Sequence, residues 1–249
     1  SGTFVVPLFG FTGKDAEKPG ETRPRRQASM ESFFSDFGDE SEEPAPVFEL
    51  STTIAVAART SRQGRISVIN RGPSGRGFRI CDRCGFGEPA PGKATSAAGH
   101  EDNRRPGRTC EGTLYALDLG HEFLTDVLEI RLDRPMLPDE ARSVLEALLV
   151  GAESLSIARD DIDGTFHVYA ADQPPSLIIF DTVPGGAGHA ERIRTNLRDV
   201  FERALERVEH CECGPETSCY TCLRSYSNQI LHDRLSRAAA IGVLRDVLR

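Results

Sequence analysis

The sequence predicts an α+β protein, with a β-rich N-terminal part holding a zinc knuckle and a C-terminal α/β part holding a four-cysteine zinc site. Three observations predict it. Alternating and β-branched runs recur between Phe48 and Leu132. Apolar residues fall at helical spacing after Pro138. Four cysteines crowd into the twelve residues from Cys211 to Cys222, CECGPETSCYTC. Residues 1–137 read as the β-rich segment, with a long polar loop over 12–46 and the knuckle over 81–110. Residues 138–249 read as the zinc-binding α/β domain.

Along the chain, Phe4 to Phe11 reads as a short buried segment, and Thr12 to Pro46 as a loop rich in Lys, Glu, Pro, Arg, Ser and Asp. Phe33, Phe34 and Phe37 interrupt it and are expected to dock it on its own domain. FELSTTIAVAAR, Phe48 to Arg59, predicts a strand; a Gly-containing loop at Ser61 to Gly64 and a second strand, Arg65 to Asn70, make a hairpin. LYALDLGHEFLTDVLEIRL predicts two more strands. Val144, Leu145, Leu148, Leu149, Ala152 and Leu155 mark a helix, with Asp139 and Glu140 suited to its positive end. Phe166 to Ala170 and Leu177 to Phe180 read as buried strands. Ile193, Leu197, Val200, Phe201, Ala204, Leu205 and Val208 define one apolar face of a second long helix, and a last helix covers roughly Ala238 to Leu248.

The cysteine spacing carries the chemistry. CxC, five spacers and CxxC give two short chelating pairs, so one loop can supply all four ligands of a tetrahedral zinc: Cys211, Cys213, Cys219 and Cys222. With every position a thiolate, no coordination site stays open, which points to a structural metal. Two disulfides, four unrelated thiols or an iron–sulfur cluster are the alternatives. No apolar run is long enough for a membrane span, and the chain opens on SGTFVVPLFG without a signal peptide, so a cytoplasmic, reducing location is expected. A second group, Cys81 and Cys84 of CDRC with Cys110 and His100 between, can complete a site of three cysteines and one histidine, although the His can also be a bystander on a long loop.

Hydrophobic residues at 39% and charged residues at 27% place the chain among soluble globular proteins, and 249 residues suffice for one large or two small domains. Lacking an initial Met, it reads as a piece of a longer chain. A net charge of −8 argues against a nucleic-acid binder, but the charge is segregated. Arg59 to Arg108 holds eleven Lys or Arg against four acids, and Glu31 to Glu49 holds seven acids and no base. The basic stretch either faces phosphates or is a solvated loop. Arg224, Arg234 and Arg237, with Asn228, Gln229 and His232, concentrate donors after the four-cysteine loop; they either contact a phosphate backbone or tie the loop to the preceding helix.

Other motifs carry less. DTVPGGAGHAERIR places a Gly-rich turn between a strand and a helix, but its spacing matches neither the P-loop nor the dinucleotide fingerprint, and tight packing is the favoured reading. Asp181 and His189 flank it with no nucleophile placed between them, so no catalytic residue is assigned. GEPAPGKA, Gly87 to Ala94, has Walker A spacing but puts Ala94 where the Mg²⁺-binding hydroxyl belongs, so no nucleotide is expected. His121, near Glu122 and Asp126, reads as a hydrogen-bonded histidine beside a strand.

The order DTVPGGAGHAERI, a helix, then CECGPETSCYTCLRSYSNQ resembles the zinc-binding domain at the C-terminus of DEAD/DEAH-box helicases of the mitomycin-repair type, also found in a component of the DISARM phage-defence system. FVVPLFGF, FFSDF, INRGPSGRGFRICDRCG and LGHEFLTDVL are similar to the segment preceding that domain. The resemblance implies a non-catalytic accessory region of a superfamily 2 DNA helicase working in DNA repair or antiviral defence. Its four cysteines, Cys211 to Cys222, would hold zinc, and its partners would be DNA and motor domains in the same or another chain. Neither a complete Walker A loop nor a DExH box occurs here, so no ATPase activity is expected of this segment. The rival reading is a zinc-stabilised scaffold that docks a motor or a defence subunit without touching DNA.

Overall fold

The computed structural model describes residues 28–38, 47–48, 50, 54–73, 75–90, 99–170 and 173–249. In chain order its strands are β1 (Ala28–Asp36), β2 (Val47–Phe48), β3 (Val56–Pro73), β4 (Phe78–Cys81), β5 (Gly87–Pro89), β6 (His100–Glu101), β7 (Thr109–Cys110), β8 (Leu114–Leu117) and β9 (Leu119–Leu132). There follow helix α1 (Pro138–Gly151), strands β10 (Ile162–His167) and β11 (Ser176–Asp181), and helices α2 (His189–Thr195), α3 (Leu197–Glu209) and α4 (Arg237–Leu248). The class is α+β. One sheet has the order β1-β3-β9-β11-β10 with β2 on β3; a three-stranded sheet runs β5-β4-β8, and β6 pairs with β7. Among the described residues no helix is long and apolar enough to cross a membrane.

The described residues form two compact units, one from within 33–66 and 123–249 and a smaller one from within 28–32 and 67–122. The long strands β3 and β9 each contribute residues to both units.

In the larger unit β11 is buried at all six positions, SLIIFD, because it lies between two antiparallel neighbours, β9 and β10. Leu177 opposes Ile130 on one side and Phe166 on the other. Helices α1, α3 and α4 pack on one another, and α1 also packs on β10 and β11. Leu145, Leu148, Ile162, Ile179, Ile193 and Phe201 are fully buried between them. Full burial of such side chains contributes roughly 1.5–3 kcal/mol each. Helix α1 begins as expected: Pro138 opens it, Asp139 and Glu140 occupy its first turn, and the Glu140 carboxylate accepts the Leu137 N–H at 3.1 Å.

Four expectations are corrected. The hairpin at Ser61 to Gly64 does not form; β3 is one continuous strand. Gly64 is there for close approach, since a Cβ would fall inside the Val127 side chain of β9. The polar loop over 12–46 contains strand β1 at 28–36. Phe34 is buried against Phe37 and His167, and Arg59 lies over the Phe37 ring, so two of the three aromatics dock, while Phe33 is exposed. The strand expected at Phe166 to Ala170 lies earlier, at Ile162–His167, because its partner β11 begins at Ser176, opposite His167, and Val168 and Tyr169 run out exposed. The second long helix is two: the chain breaks at Asn196, whose side-chain amide donates to the Arg192 carbonyl at 2.8 Å. Phe4 to Phe11, the acidic stretch at 39–46 and the second half of the GEPAPGKA segment, 91–94, lie outside the described residues.

Candidate metal centres

Helix α3 delivers the chain into the four-cysteine loop and α4 leads out of it. The sulfurs of Cys211 and Cys219 lie 3.4 Å apart, Cys211 and Cys213 3.5 Å, Cys213 and Cys222 3.7 Å, and Cys219 and Cys222 3.9 Å. A tetrahedron of Zn–S bonds of about 2.3 Å has edges of about 3.8 Å, so the spacing suits a central zinc. None of the four is in a disulfide. Backbone N–H groups point at the sulfurs, from Cys219 to Cys222 at 3.3 Å and from Thr221 to Cys219 at 3.4 Å, as they do around thiolate ligands.

The thiols cannot all ionise on their own. Burial, then the neighbouring Cys213 and Cys211 sulfurs, push Cys222 up to about 12, and burial with Cys211 also raises Cys213. Cys219 is pulled the other way: against burial, the Thr221 N–H and Cys211 bring it down to about 6. A central divalent cation removes this conflict, and this is the fit of the donor set to zinc.

The second cluster is assembled by strand pairing within the smaller unit. Cys81 ends β4, Cys84 sits in the turn after it, and the β6–β7 register sets His100 directly opposite Cys110. The four ligand atoms lie within 4.8 Å of one another, with Cys81 and Cys110 sulfurs 3.8 Å apart and Cys84 Sγ 3.2 Å from His100 Nε2. The His100 ring stacks on Phe86. Arg83 and Gly112 donate backbone N–H groups to Cys81 and Cys110, each at 3.4 Å. Burial raises Cys84, but the Asn103 and Phe86 N–H groups and His100 outweigh it and bring the thiol to about 6. The Gly112 N–H favours the Cys110 thiolate, yet burial and the Cys84 and Cys81 sulfurs leave it raised.

Around the four-cysteine loop the structure adds residues that sequence reasoning weighed differently or missed. Arg237, at the start of α4, donates to the carbonyls of Val208 at 3.0 Å, Cys211 at 2.5 Å and Cys213 at 2.5 Å. It ties the loop to the helices. Arg224 donates to Ser218 and Thr217, and Arg234 pairs with Asp139. Asn228, buried, donates to Leu223 O at 2.9 Å and to Glu146 of α1 at 2.8 Å, and His232 reaches Ser225 O and Asn228. Glu146, almost fully buried, also pairs with Arg159. A charged residue on the buried side of α1 was the signal available; its partner 82 residues away was not.

The Gly-rich turn after β11 holds its own anions. Asp181 accepts the N–H groups of Ala187 at 2.6 Å, His189 at 3.1 Å and Ala190 at 3.1 Å, and Asp126 accepts that of Gly188 at 2.7 Å. Gly186 has φ 74° and lies so close that a Cβ would overlap the Asp126 carboxylate. The turn's donors are therefore engaged within the protein, by these carboxylates and by the Leu124 and Val183 carbonyls, which accept the Gly185 and Gly186 N–H groups. Asp181 bonds the His189 backbone N–H, while the His189 ring lies 3.9 Å from Asp161. His121 belongs to neither ligand cluster.

A four-thiol loop with Cys222 buried and the other three cysteines half-buried, packed against the helical core, has the donor set of a structural zinc site. Residues 145–223, which include all four cysteines of that loop, match the family model of the MrfA Zn-binding domain. Those residues are similar to that zinc-binding domain, and the second cluster, from Cys81 to Cys110, lies outside the match. Druantia protein DruE of Escherichia coli (strain UMEA 4076-1) is 29% identical over 214 residues, 74% of this chain, and the chain spans 12% of that protein's length. A crystal structure of the DUF1998 helicase MrfA bound to DNA aligns with a TM-score of 0.46 at 14% identity, over 89% of this chain and 25% of that one. A second, of MrfA, gives 0.39 at 16%, over 79% and 22%.

Proposed function

We propose that this chain is a non-catalytic, zinc-stabilised accessory region of a superfamily 2, DEAD/DEAH-type helicase, and that it assists engagement of DNA in antiviral defence or DNA repair. The observation that carries the reading is the closed four-cysteine cluster within the MrfA-type domain. Zinc bound there supplies a cross-link and no chemistry, because thiolates fill all four positions. Cys211, Cys213, Cys219 and Cys222 hold it, Arg237 fixes the backbone carbonyls of that loop, and Asn228 fastens the segment after it to α1. Cys81, Cys84, His100 and Cys110 hold a second zinc. The motor domains are a partner in the same or another chain, and neither nucleotide nor membrane is part of the reading. A reducing, cytoplasmic location fits seven cysteines gathered into metal clusters with no disulfide.

The rival, a docking scaffold that touches no DNA, is favoured by the exposed Tyr220 and Ile230 beside the four-cysteine loop. Salt separates the two. Titrating the purified chain against labelled DNA at rising salt is expected to show affinity falling linearly with log salt. No binding at low salt, with retained binding of the motor domains, would favour the scaffold.

A further inference from the structure

The arginines of this chain are not all used alike. In the larger unit Arg159 pairs with Glu146, Arg194 with Glu191, Arg203 with Asp199 and Glu206, and Arg245 with Glu209, and in the smaller unit Arg71 pairs with Glu31 and Arg79 with Glu88. Around the cluster of three cysteines and His100, the guanidinium groups of Arg83, Arg104, Arg105 and Arg108 have no ion pair or hydrogen bond among the described residues, and all four side chains are exposed.

Their backbones, by contrast, are fixed. Arg83 N–H bonds to the Cys81 sulfur, Arg104 N–H to the Asp102 carboxylate at 2.9 Å, and Arg108 N–H to the Arg105 carbonyl at 3.1 Å, while Asp102 N–H closes the loop on Arg108 O at 2.8 Å. The acids of the same region are turned to the backbone: Asp82 accepts the Thr113 N–H, and Glu101 that of Gly107. Arg83, Arg104 and Arg105 line, with Thr109, an open cavity of about 360 Å³, with Asp102 and Glu111 also at its wall. Four planar cations unpaired among the described residues, one in the turn after β4 and three between β6 and β7, match a run of phosphates, since guanidinium binds phosphate oxygens through two parallel hydrogen bonds.

We infer that this arginine-bearing face of the upstream knuckle is the surface that grips the phosphate backbone of nucleic acid. It deepens the proposed function and rests on the DNA engagement proposed there. The metal would set the loop, and the arginines would bind without reading sequence.

The test is fluorescence-anisotropy titration of a labelled mixed-sequence oligodeoxynucleotide, single-stranded and as its duplex, with the full chain, its Arg104→Ala/Arg105→Ala variant and, as a control of equal charge per site, Arg203→Ala. Zinc content of each protein checks that the knuckle is intact. The double variant is expected to keep its zinc, bind about tenfold more weakly, and lower the salt slope by about one to two units, the value for one or two lost phosphate contacts. Arg203→Ala is expected to bind like the parent. Parent binding with a normal salt slope that the double variant leaves unchanged would overturn this surface while leaving the DNA reading standing. An equal loss in Arg203→Ala would also overturn it, showing that net charge alone matters. Failure of the parent to bind either probe at low salt would overturn the DNA reading itself.

Discussion

The two cysteine clusters use similar ligands on unlike scaffolds. Cys222 belongs to the main apolar core of the larger unit, with Cys211, Cys213 and Cys219 packed against it, beside Val208, Leu223 and Leu244. Among the described residues, the Cys81, Cys84 and Cys110 cluster has Phe86 and Leu114 against it. In the first case a bound metal would fasten a loop to a core that already exists. In the second the ligands are themselves most of the buried apolar material among the described residues, so a bound metal would stand in for a core. The difference teaches that loss of the same ligand type should be felt in different places: across the larger unit in one case, within one knuckle in the other.

The largest expected effect is from Cys219→Ser. Removing one thiolate leaves a crowded set of three around the buried Cys222, and the variant should lose one zinc and at least about 3 kcal/mol of stability, a fall in Tm of roughly 6–12 °C for a chain of this size. Unchanged melting with full zinc would break the comparison at its stronger end. Next is Arg237→Ala, which strips the carbonyls of Val208, Cys211 and Cys213 of a charged donor. A loss of about 2–4 kcal/mol follows from the hydrogen bonds to a charged group, together with faster zinc transfer to a chromogenic chelator; Arg237→Lys should restore only part, because Lys lacks the planar fork. An equal zinc-release rate in parent and variant would show that the clamp does not support the loop.

Cys84→Ser sharpens the contrast. It should also lose one zinc, yet move the main melting transition by less than about 1 kcal/mol, with new proteolytic cuts confined to the knuckle; cuts spread over α1 to α4 would contradict the separation of the two scaffolds. The smallest effect concerns pH. Arg194 first, then Thr60 and Thr195, hold Glu191 at about 2 against partial burial, below its ordinary 4.5. A depressed carboxylate contributes stability that is complete above the unfolded value and lost as pH falls through the folded one. Glu191→Gln should therefore flatten the Tm curve between about pH 4.5 and pH 2 without altering it at neutrality; a parallel curve would remove Glu191 from the account.

Much of this was legible where the determining contacts are short in sequence. The four-cysteine spacing brings its ligands together within one loop, and the period of apolar residues in α1 and α3 marks the faces they bury. His100 was harder, since its place depends on the β6–β7 register and not on spacing alone. Gly64 misled: a glycine signals a turn or a close approach equally, and only Val127, in a distant strand, decides between them. Arg237 was singled out for its donors, and the outcome turned on carbonyls more than twenty residues upstream. The Glu146–Asn228 bond left no local trace at all.

The most direct measurement of the central claim, two separately scaffolded zinc centres, is elemental mass spectrometry on the purified chain and on its Cys84→Ser and Cys219→Ser variants. The account predicts about two zinc ions in the parent and about one in each variant, with no iron. A single zinc in the parent that persists in Cys84→Ser, or iron with visible absorption, would contradict it.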